Sequence, residues 1–434
     1  MTPLERIRTP AIGLLILGLI TAHAPRVGGQ SRPRPHAATR LGFSTERLTR
    51  IDSALQRAVD NGEVAGAVAL VLRDGQPVYE RAVGWADKDA GKRMTVDAIF
   101  RIASQSKALT SVAIMSLVEE GKVGLGDPVS RYIPEFERTT VAVRADTGRA
   151  IVPARRRITI RDLLTHTAGI SYGLDSLVAP LYAAKGLGPA AGFGWYTADK
   201  TEPICQTIER LAGLPFVAQP GERFVYGYNT DVLGCVVERV SGMRFDQFIR
   251  TRITGPLRMS DTYFFLPPDK RDRLATVYTM GADGKVVRAP NGPRGQGDYV
   301  DGPRQSFSGG AGLLSTAHDY ARFLQMLLNG GTLDGVRILS PKTVGLMTTN
   351  QTGTIYSPSG AEGFGLGFRL IERPGAEGRP ESVGTFSWGG AYGSEYEVDP
   401  KEKIVIVFMK QVVPNRGDIG GRMPMLVYQA LVEP

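Results

Sequence analysis

The first regular pattern is a stripe of Leu48, Ile51, Leu55 and Val59 behind Ser44. That spacing predicts an amphipathic helix, with Ser44 as its cap and a stop near Asn61-Gly62. The pattern then changes to a dense apolar run, Val68 to Leu72. The turn pair Asp74-Gly75 comes next, and Val78 to Val83 returns. Two short runs around a turn dipeptide read as a β-hairpin. A helix is predicted from about Ser104 to Glu120, stopped by Gly121. Helical periodicity dominates from Ile160 to about Leu327, broken by loops at Gly186 to Lys200 and Gly281 to Gly309. The latter is Gly/Pro-rich and reads equally as a lid over a cleft or as plain surface loop. In the last fifth, Glu381 to Trp388, Ser394 to Val398 and Ile404 to Met409 read as strands, and Met425 to Val432 as a closing helix. Tight turns between strands imply antiparallel pairing. The economical architecture is α+β. One antiparallel sheet is assembled from both chain ends and flanked by the terminal helices, with a mostly helical domain inserted between.

Composition narrows the class. With 434 residues, 42% of them hydrophobic, the chain can bury a full core without disulfide or metal staples. No interior apolar run approaches the roughly 20 residues needed to span a bilayer. The net charge is +9, from 52 basic and 43 acidic residues. The charges are mixed along the chain and cluster only at Arg155-Arg156-Arg157. Nucleic-acid binding is therefore not expected. His23, His36, His166 and His318 are scattered, which argues against a metal site, and no cofactor is called for.

At the N-terminus, Arg6 and Arg8 precede a short apolar stretch, Ala11 to Ile20, as in a secretory signal peptide. Ala22-His23-Ala24 has the small-x-small form but is followed by Pro25. Val27-Gly28-Gly29 before Gln30 is the better cleavage site. The expected organisation is a signal segment 1–29, a flexible leader 30–43, and a domain over 44–434. Within that domain, a sheet part covers 44–103 and about 310–434, and a helical part about 104–309. Export to the periplasm or beyond, with no stable membrane span after cleavage, is expected. Cys205 and Cys235 could then be bridged. Cys235 lies in the apolar run Val232 to Val237, however, where a cysteine usually serves as a small buried hydrophobe.

The sharpest chemical motif is Ser104-Gln105-Ser106-Lys107. On a helix it sets Lys107 one turn beyond Ser104 on the same face. A serine hydroxyl needs a base before it attacks a carbonyl, and a lysine in a dry pocket can be that base. Taken alone, the tetrapeptide reads more simply as a cap serine and a surface lysine.

The surrounding stretches change this. Val64-Ala65-Gly66, Phe100-Arg101-Ile102-Ala103, Gly126-Asp127-Pro128-Val129, Ile158 through Gly169, Gln219-Pro220-Gly221, Gly309 through Leu313 and Trp388-Gly389-Gly390 occur in order. With them the chain resembles the serine β-lactamase and penicillin-binding-protein superfamily, in its class C-like branch. The resemblance runs from Val64 to about Gln411. It implies the β-lactamase/transpeptidase-like fold and a serine acyl-enzyme formed by Ser104, with Lys107 and a tyrosine as base. Tyr226-Gly227-Tyr228-Asn229 offers two registers for that tyrosine. Tyr226, eight residues before Gly234, is favoured and Tyr228 is the rival. Asn229 stands one position late for the asparagine that touches substrate in the family.

On the edge strand, Trp388 replaces the family's cationic or polar residue, while Gly389 and Gly390 would let substrate approach. Trp-Gly-Gly resembles the family VIII carboxylesterases, so the resemblance implies ester hydrolysis. The backbone N–H groups of Ser104 and Ala391 would form the oxyanion hole. The alternatives are a β-lactamase or D-amino-acid-specific peptidase, acting on an amide, and a non-catalytic binding or sensor protein of the same fold. The implied partner is a small-molecule ester or amide substrate.

Gly169-Ile170-Ser171-Tyr172-Gly173 matches the G-x-S-x-G elbow of α/β-hydrolases. A helix, not a strand, is predicted before it, and His318 is the only histidine after it. It reads instead as a loop on the cleft rim, with Tyr172 facing substrate. His166 reads as a structural hydrogen-bonding residue, and His318 with Asp319 as caps of the next helix.

Overall fold

A computed structural model of the chain describes residues 39–434, apart from 147, 189–197, 294, 416 and 434. The expected signal segment, most of the leader, His23 and His36 lie outside the described residues, as does most of the loop from Gly186 to Lys200. All the elements below belong to one unit, Ala38–Pro434.

Helix α1 (Thr45–Asp60) starts where Ser44 accepts a hydrogen bond from the Arg47 N–H, and it buries Leu48, Ile51 and Leu55. Strands β1 (Gly66–Arg73) and β2 (Gln76–Asp87) form the expected hairpin, with a bulge at Val71/Leu72. Strand β3 (Lys92–Arg93) pairs with β2. Helix α2 (Ser106–Glu119) comes after a 3₁₀ turn, Ala103–Gln105. Next are the hairpin β4 (Thr140–Ala145) and β5 (Gly148–Pro153), and helices α3 (Ile160–Leu164), α4 (Ile204–Ala212), α5 (Asn229–Ser241) and α6 (Ala317–Leu328). The C-terminal segment supplies β6 (Glu362–Phe364), β7 (Arg369–Ile371), β8 (Phe386–Gly389), β9 (Glu395–Asp399), β10 (Ile404–Lys410) and α7 (Ile419–Ala430).

The main sheet is antiparallel, in the order β6-β7-β8-β9-β10-β1-β2-β3. Strand β10 from the C-terminus lies beside β1 from the N-terminus, with Val407 opposite Leu70. The dense apolar run of β1 results from this position, since both its faces are covered. Val68 and Leu70 pack with Val405, Val407 and Met409 against α2 and α6. Ala67, Ala69 and Val71 face the other way, with Ile406 and Phe408, against Leu48, Leu55, Met423 and Val427 of the terminal helices. Helix α2 is buried all round, as expected of an apolar helix between a sheet and other helices.

Four expectations are corrected. The strand expected from Glu381 begins only at Phe386, where pairing with β7 and β9 starts. The final helix begins earlier, at Ile419, and contains Pro424. Thr316, not His318 or Asp319, caps α6, and its side chain accepts from the Asp319 N–H. Cys235 is not merely a small hydrophobe, since it is bridged to Cys205, with α4 and α5 side by side and the two Cα atoms 5.2 Å apart.

Candidate active site

Ser104 lies in the 3₁₀ turn that opens α2. The residue before it, Ala103, has φ 43°. A left-handed alanine is costly and persists only where the surroundings fix it. Here the Ile102 N–H donates to Leu313 O at 3.1 Å, and the Leu313 N–H donates to Ser106 Oγ at 3.0 Å. Phe100–Arg101 is further tied to Leu314–Ser315 as a short antiparallel pair.

Lys107 lies one turn later and is 3% exposed. Its Nζ donates to Gly310 O at 2.7 Å, Tyr172 OH at 3.0 Å and Ser104 Oγ at 3.3 Å. Three oxygens from three separate parts of the chain thus surround the nitrogen. Nζ also lies 4.7 Å from the centre of the Tyr226 ring. The surface-lysine reading of the motif is thereby excluded.

The two tyrosine registers separate cleanly. Tyr226 lines the same cleft as Ser104, and its hydroxyl accepts from Trp388 Nε1 at 3.1 Å. Its ring packs on His166, Tyr172 and Trp388. Tyr228 is 5% exposed and turned away, its hydroxyl accepting from the Gly188 N–H at 3.0 Å. Burial pushes the Tyr228 phenol above its usual range.

Asn229 is a correction. It is fully buried, and its amide nitrogen reaches His166 Nδ1 at 2.9 Å, Val225 O at 3.2 Å and Ile170 O at 3.3 Å. Coming one residue after Tyr228, it opens α5 from the inside and offers nothing to the cleft. His166 is buried behind Tyr226, and burial, with the nearby Lys107 charge, holds its imidazole well below the usual range. It accepts at Nδ1 as a neutral ring.

Ser104, Tyr172, Tyr226, Tyr356, Trp388 and Ala391 line a cleft of about 660 Å³. One wall is aromatic: Phe364 stands between Trp388 and Tyr356, its ring 5.4 Å from each. Gly389 and Gly390 border the cleft, but Gly390 has a second reason to be glycine. A Cβ there would lie 2.5 Å from Ile102 O, so the strand abuts the turn that carries Ser104. Gly390, Ala391 and Gly393 belong to one tight turn, closed by the Gly393 N–H donating to Gly390 O at 2.8 Å. Among the described residues the Ala391 N–H has no protein acceptor.

Two other sequence candidates are set apart. Ser171 Oγ accepts from the Gly173 N–H at 3.0 Å and does not line the cleft. His318 pairs with Glu80 at 2.5 Å, half exposed and outside the cleft.

Sequence reasoning misses three contributors. Tyr356 belongs to no motif. The Gly310 carbonyl sits inside a recognised glycine-rich stretch but carries its role in the backbone. Asp231 is detectable only as an acid heading the apolar run Val232 to Val237.

The arrangement presents a hydroxyl, a lysine and a tyrosine around one cleft, with a free backbone donor opposite. The chain is similar to known proteins over most of its length. An uncharacterized protein of Mycobacterium tuberculosis is 38% identical over 383 residues, 84% of this chain and 90% of its own. Esterase EstB of Burkholderia gladioli is 32% identical over 365 residues, 81% of this chain and 86% of its own. Among solved structures, EstCE1, a hydrolase with promiscuous acyltransferase activity, superimposes with a TM-score of 0.71 at 28% identity, covering 89% of this chain and 99% of that one. The family model named Beta-lactamase matches residues 51–425, and with the serine, lysine and tyrosine gathered at one cleft, the chain belongs to the Beta-lactamase family.

Proposed function

We propose that this serine hydrolase of the Beta-lactamase family cleaves carboxylic esters through an acyl-enzyme on Ser104. Ser104 Oγ attacks the carbonyl carbon while its proton passes to the Lys107–Tyr226 pair. The oxyanion takes hydrogen bonds from the Ser104 and Ala391 N–H groups, each worth about 3–4 kcal/mol in the transition state. The pair then returns the proton to the alkoxide, and an alcohol leaves. Water repeats the cycle on the acyl-serine and releases the acid.

The observation that carries the ester preference is Trp388. Where a carboxylate-reading enzyme needs a cation or hydroxyl, this cleft presents an indole whose only N–H is already given to Tyr226. Tyr226 and Tyr356 add aromatic surface, and the arginines that also line the cleft, Arg369 and Arg379, are each paired to a carboxylate, of Glu362 and Glu381, so the cleft suits an uncharged substrate. The similarity to EstB supports the same reading.

The test is turnover of p-nitrophenyl butyrate and a chromogenic cephalosporin, side by side. Ester turnover is expected to dominate, to vanish in Ser104→Ala and to survive in Ser171→Ala. Dominant cephalosporin cleavage moves the protein to the β-lactamase reading. Loss of activity in Ser171→Ala alone overturns the site.

Export belongs to the same proposal. The basic and apolar N-terminal pattern and the Cys205–Cys235 bridge both suit an oxidising compartment. The mass of protein recovered from the periplasm or medium is expected to correspond to a chain starting at Gln30. Full-length cytoplasmic protein refutes that.

A further inference from the structure

The lysine that faces Ser104 is held by a backbone carbonyl, and that carbonyl is held in turn by a buried acid. Gly310 O receives the shortest of the three Lys107 hydrogen bonds, at 2.7 Å. The turn presenting it, Ser308 to Ala311, lies in the loop before α6, far along the chain from Lys107. It has no regular secondary structure to fix it.

What fixes it is Asp231 on the first turn of α5. Asp231 Oδ1 accepts from the Gly310 N–H at 3.1 Å and from the Ser308 hydroxyl. Ser308 Oγ in turn accepts from the N–H groups of Gly310 at 3.2 Å and Ala311 at 3.0 Å. One carboxyl oxygen and one hydroxyl thus fasten the Gly310 end of the turn, beside the Thr110 hydroxyl that donates to Gly309 O at 2.7 Å and the Gly312 N–H that donates to Ser308 O at 3.0 Å. Asp231 is 1% exposed and does not line the cleft, so its carboxyl cannot touch substrate.

Its other oxygen, Oδ2, is buried with no hydrogen-bond partner. A Cβ on Gly310 would come within 2.5 Å of that oxygen. The acid and the turn therefore fit only because residue 310 is glycine. A buried carboxyl with one oxygen unsatisfied costs stability, of the order a hydrophobic residue of that size would avoid. Asp231 heads the apolar run Val232 to Val237, where a nonpolar side chain would otherwise be expected. A residue kept at that expense needs a role other than packing.

We infer that Asp231 is a positioning residue for the Ser104 reaction: through Ser308 and Gly310 it sets the carbonyl that aims the Lys107 amine at Ser104. The inference rests on the proposed serine–lysine chemistry. It adds a third layer to that chemistry, a side chain that acts on the base through a backbone carbonyl.

Asp231→Ala removes the acceptor, whereas Asp231→Asn keeps an oxygen at the same place for the Gly310 N–H and the Ser308 hydroxyl. The test measures kcat and KM for p-nitrophenyl butyrate, and the rate of covalent labelling by a fluorophosphonate probe, on the full chain. Asp231→Ala is expected to lower kcat and the labelling rate at least tenfold with KM within twofold. Asp231→Asn is expected to restore both to within threefold of wild type. If Asp231→Ala does not fold, Ser308→Ala loosens the same turn and is expected to lower kcat at least threefold with KM unchanged.

Wild-type kcat in Asp231→Ala, or in Ser308→Ala where that variant stands in, overturns the inference. So does an Asp231→Asn variant as impaired as Asp231→Ala. A wild-type protein that the probe does not label at Ser104 overturns the proposed function itself, and this inference with it. Labelling of the wild type together with undiminished Asp231→Ala overturns this inference alone.

Discussion

Replacing Trp388 by phenylalanine isolates a single interaction. The indole Nε1 donates to Tyr226 OH at 3.1 Å, and phenylalanine deletes that donor while keeping an aromatic ring. The contacts with Tyr226 and Phe364, each at 5.4 Å between ring centres, are largely retained. If the Tyr226 oxygen stays neutral throughout the reaction, the lost bond is worth about 1 kcal/mol, roughly a fivefold effect. If that oxygen carries negative charge in the transition state, because its own proton passes to Lys107 ahead of the arriving Ser104 proton, the bond is worth about 1.5–3 kcal/mol, roughly 10- to 150-fold. The proposed mechanism requires the second case. Steady-state hydrolysis of p-nitrophenyl butyrate between pH 6 and 9 measures it, with thermal unfolding to check the fold. The expected result is a fall in kcat of at least tenfold, a KM changed by less than threefold, and an unchanged Tm. A fall below threefold at every pH refutes the idea that the indole supports charge on Tyr226. A rise in KM with kcat intact assigns Trp388 to substrate contact alone.

The tyrosine registers give a paired prediction. Tyr226→Phe is expected to lower kcat about 10²- to 10⁴-fold, the range for loss of a general acid–base group. Tyr228→Phe is expected to keep kcat within threefold and to cost about 1 kcal/mol in urea unfolding, because only the bond from Gly188 is lost. The bridge between Cys205 and Cys235 closes a segment with a sequence separation of 30. Its removal by Cys205→Ser with Cys235→Ser is expected to cost about 3–4 kcal/mol on chain-entropy grounds, read from urea midpoints. His166 gives the protein an acid limit. Its folded pKa is held well below the unfolded value near 6.5, so below that pH the unfolded chain binds a proton that the folded chain refuses. The stability it contributes is complete above about pH 6.5 and declines by about 1.4 kcal/mol per unit as pH falls below it. His166→Gln is expected to flatten this part of the stability profile between pH 7.5 and 5, and an unchanged slope refutes the assignment.

The parts of the fold legible in the sequence are those whose pattern is local. Helix α1 carries its own cap and stripe. Strands β1 and β10 are dense apolar runs because both faces of the sheet are covered at those positions. Strands β6 and β7 leave no such mark, having three residues each, and they exist because β8 offers an edge to pair with. The hairpin Thr140–Pro153 is hidden for a related reason. Its β5 strand is mostly exposed, so no alternation of buried positions marks it. The disulfide is illegible because an apolar run around Cys235 says that the residue is buried, and nothing about which helix lies alongside.

The site divides along the same line. Ser104 and Lys107 are readable because helical geometry alone brings residues three apart onto one face. The preference for Tyr226 over Tyr228 comes only from the resemblance and the spacing to Gly234, not from local geometry, since the two differ in which neighbour their hydroxyls meet, Trp388 for one and the Gly188 N–H for the other. Asn229 looks like a substrate contact because it stands near the family position, and its buried partner His166 lies 63 residues away in sequence. The three acceptors of Lys107 differ in the same way. Ser104 is three residues away, Tyr172 is 65 and Gly310 is 203. Only the nearest is available to a spacing argument, yet it is also the longest of the three bonds. The amine is held mainly by the two distant partners, one from the loop after α3 and one from the turn that Asp231 fastens. The motif therefore names the lysine, but the direction in which its amine points is set by tertiary contacts. Substitutions at Ser308, Gly310 or Asp231 belong among the tests of the chemistry as much as those at Ser104 itself.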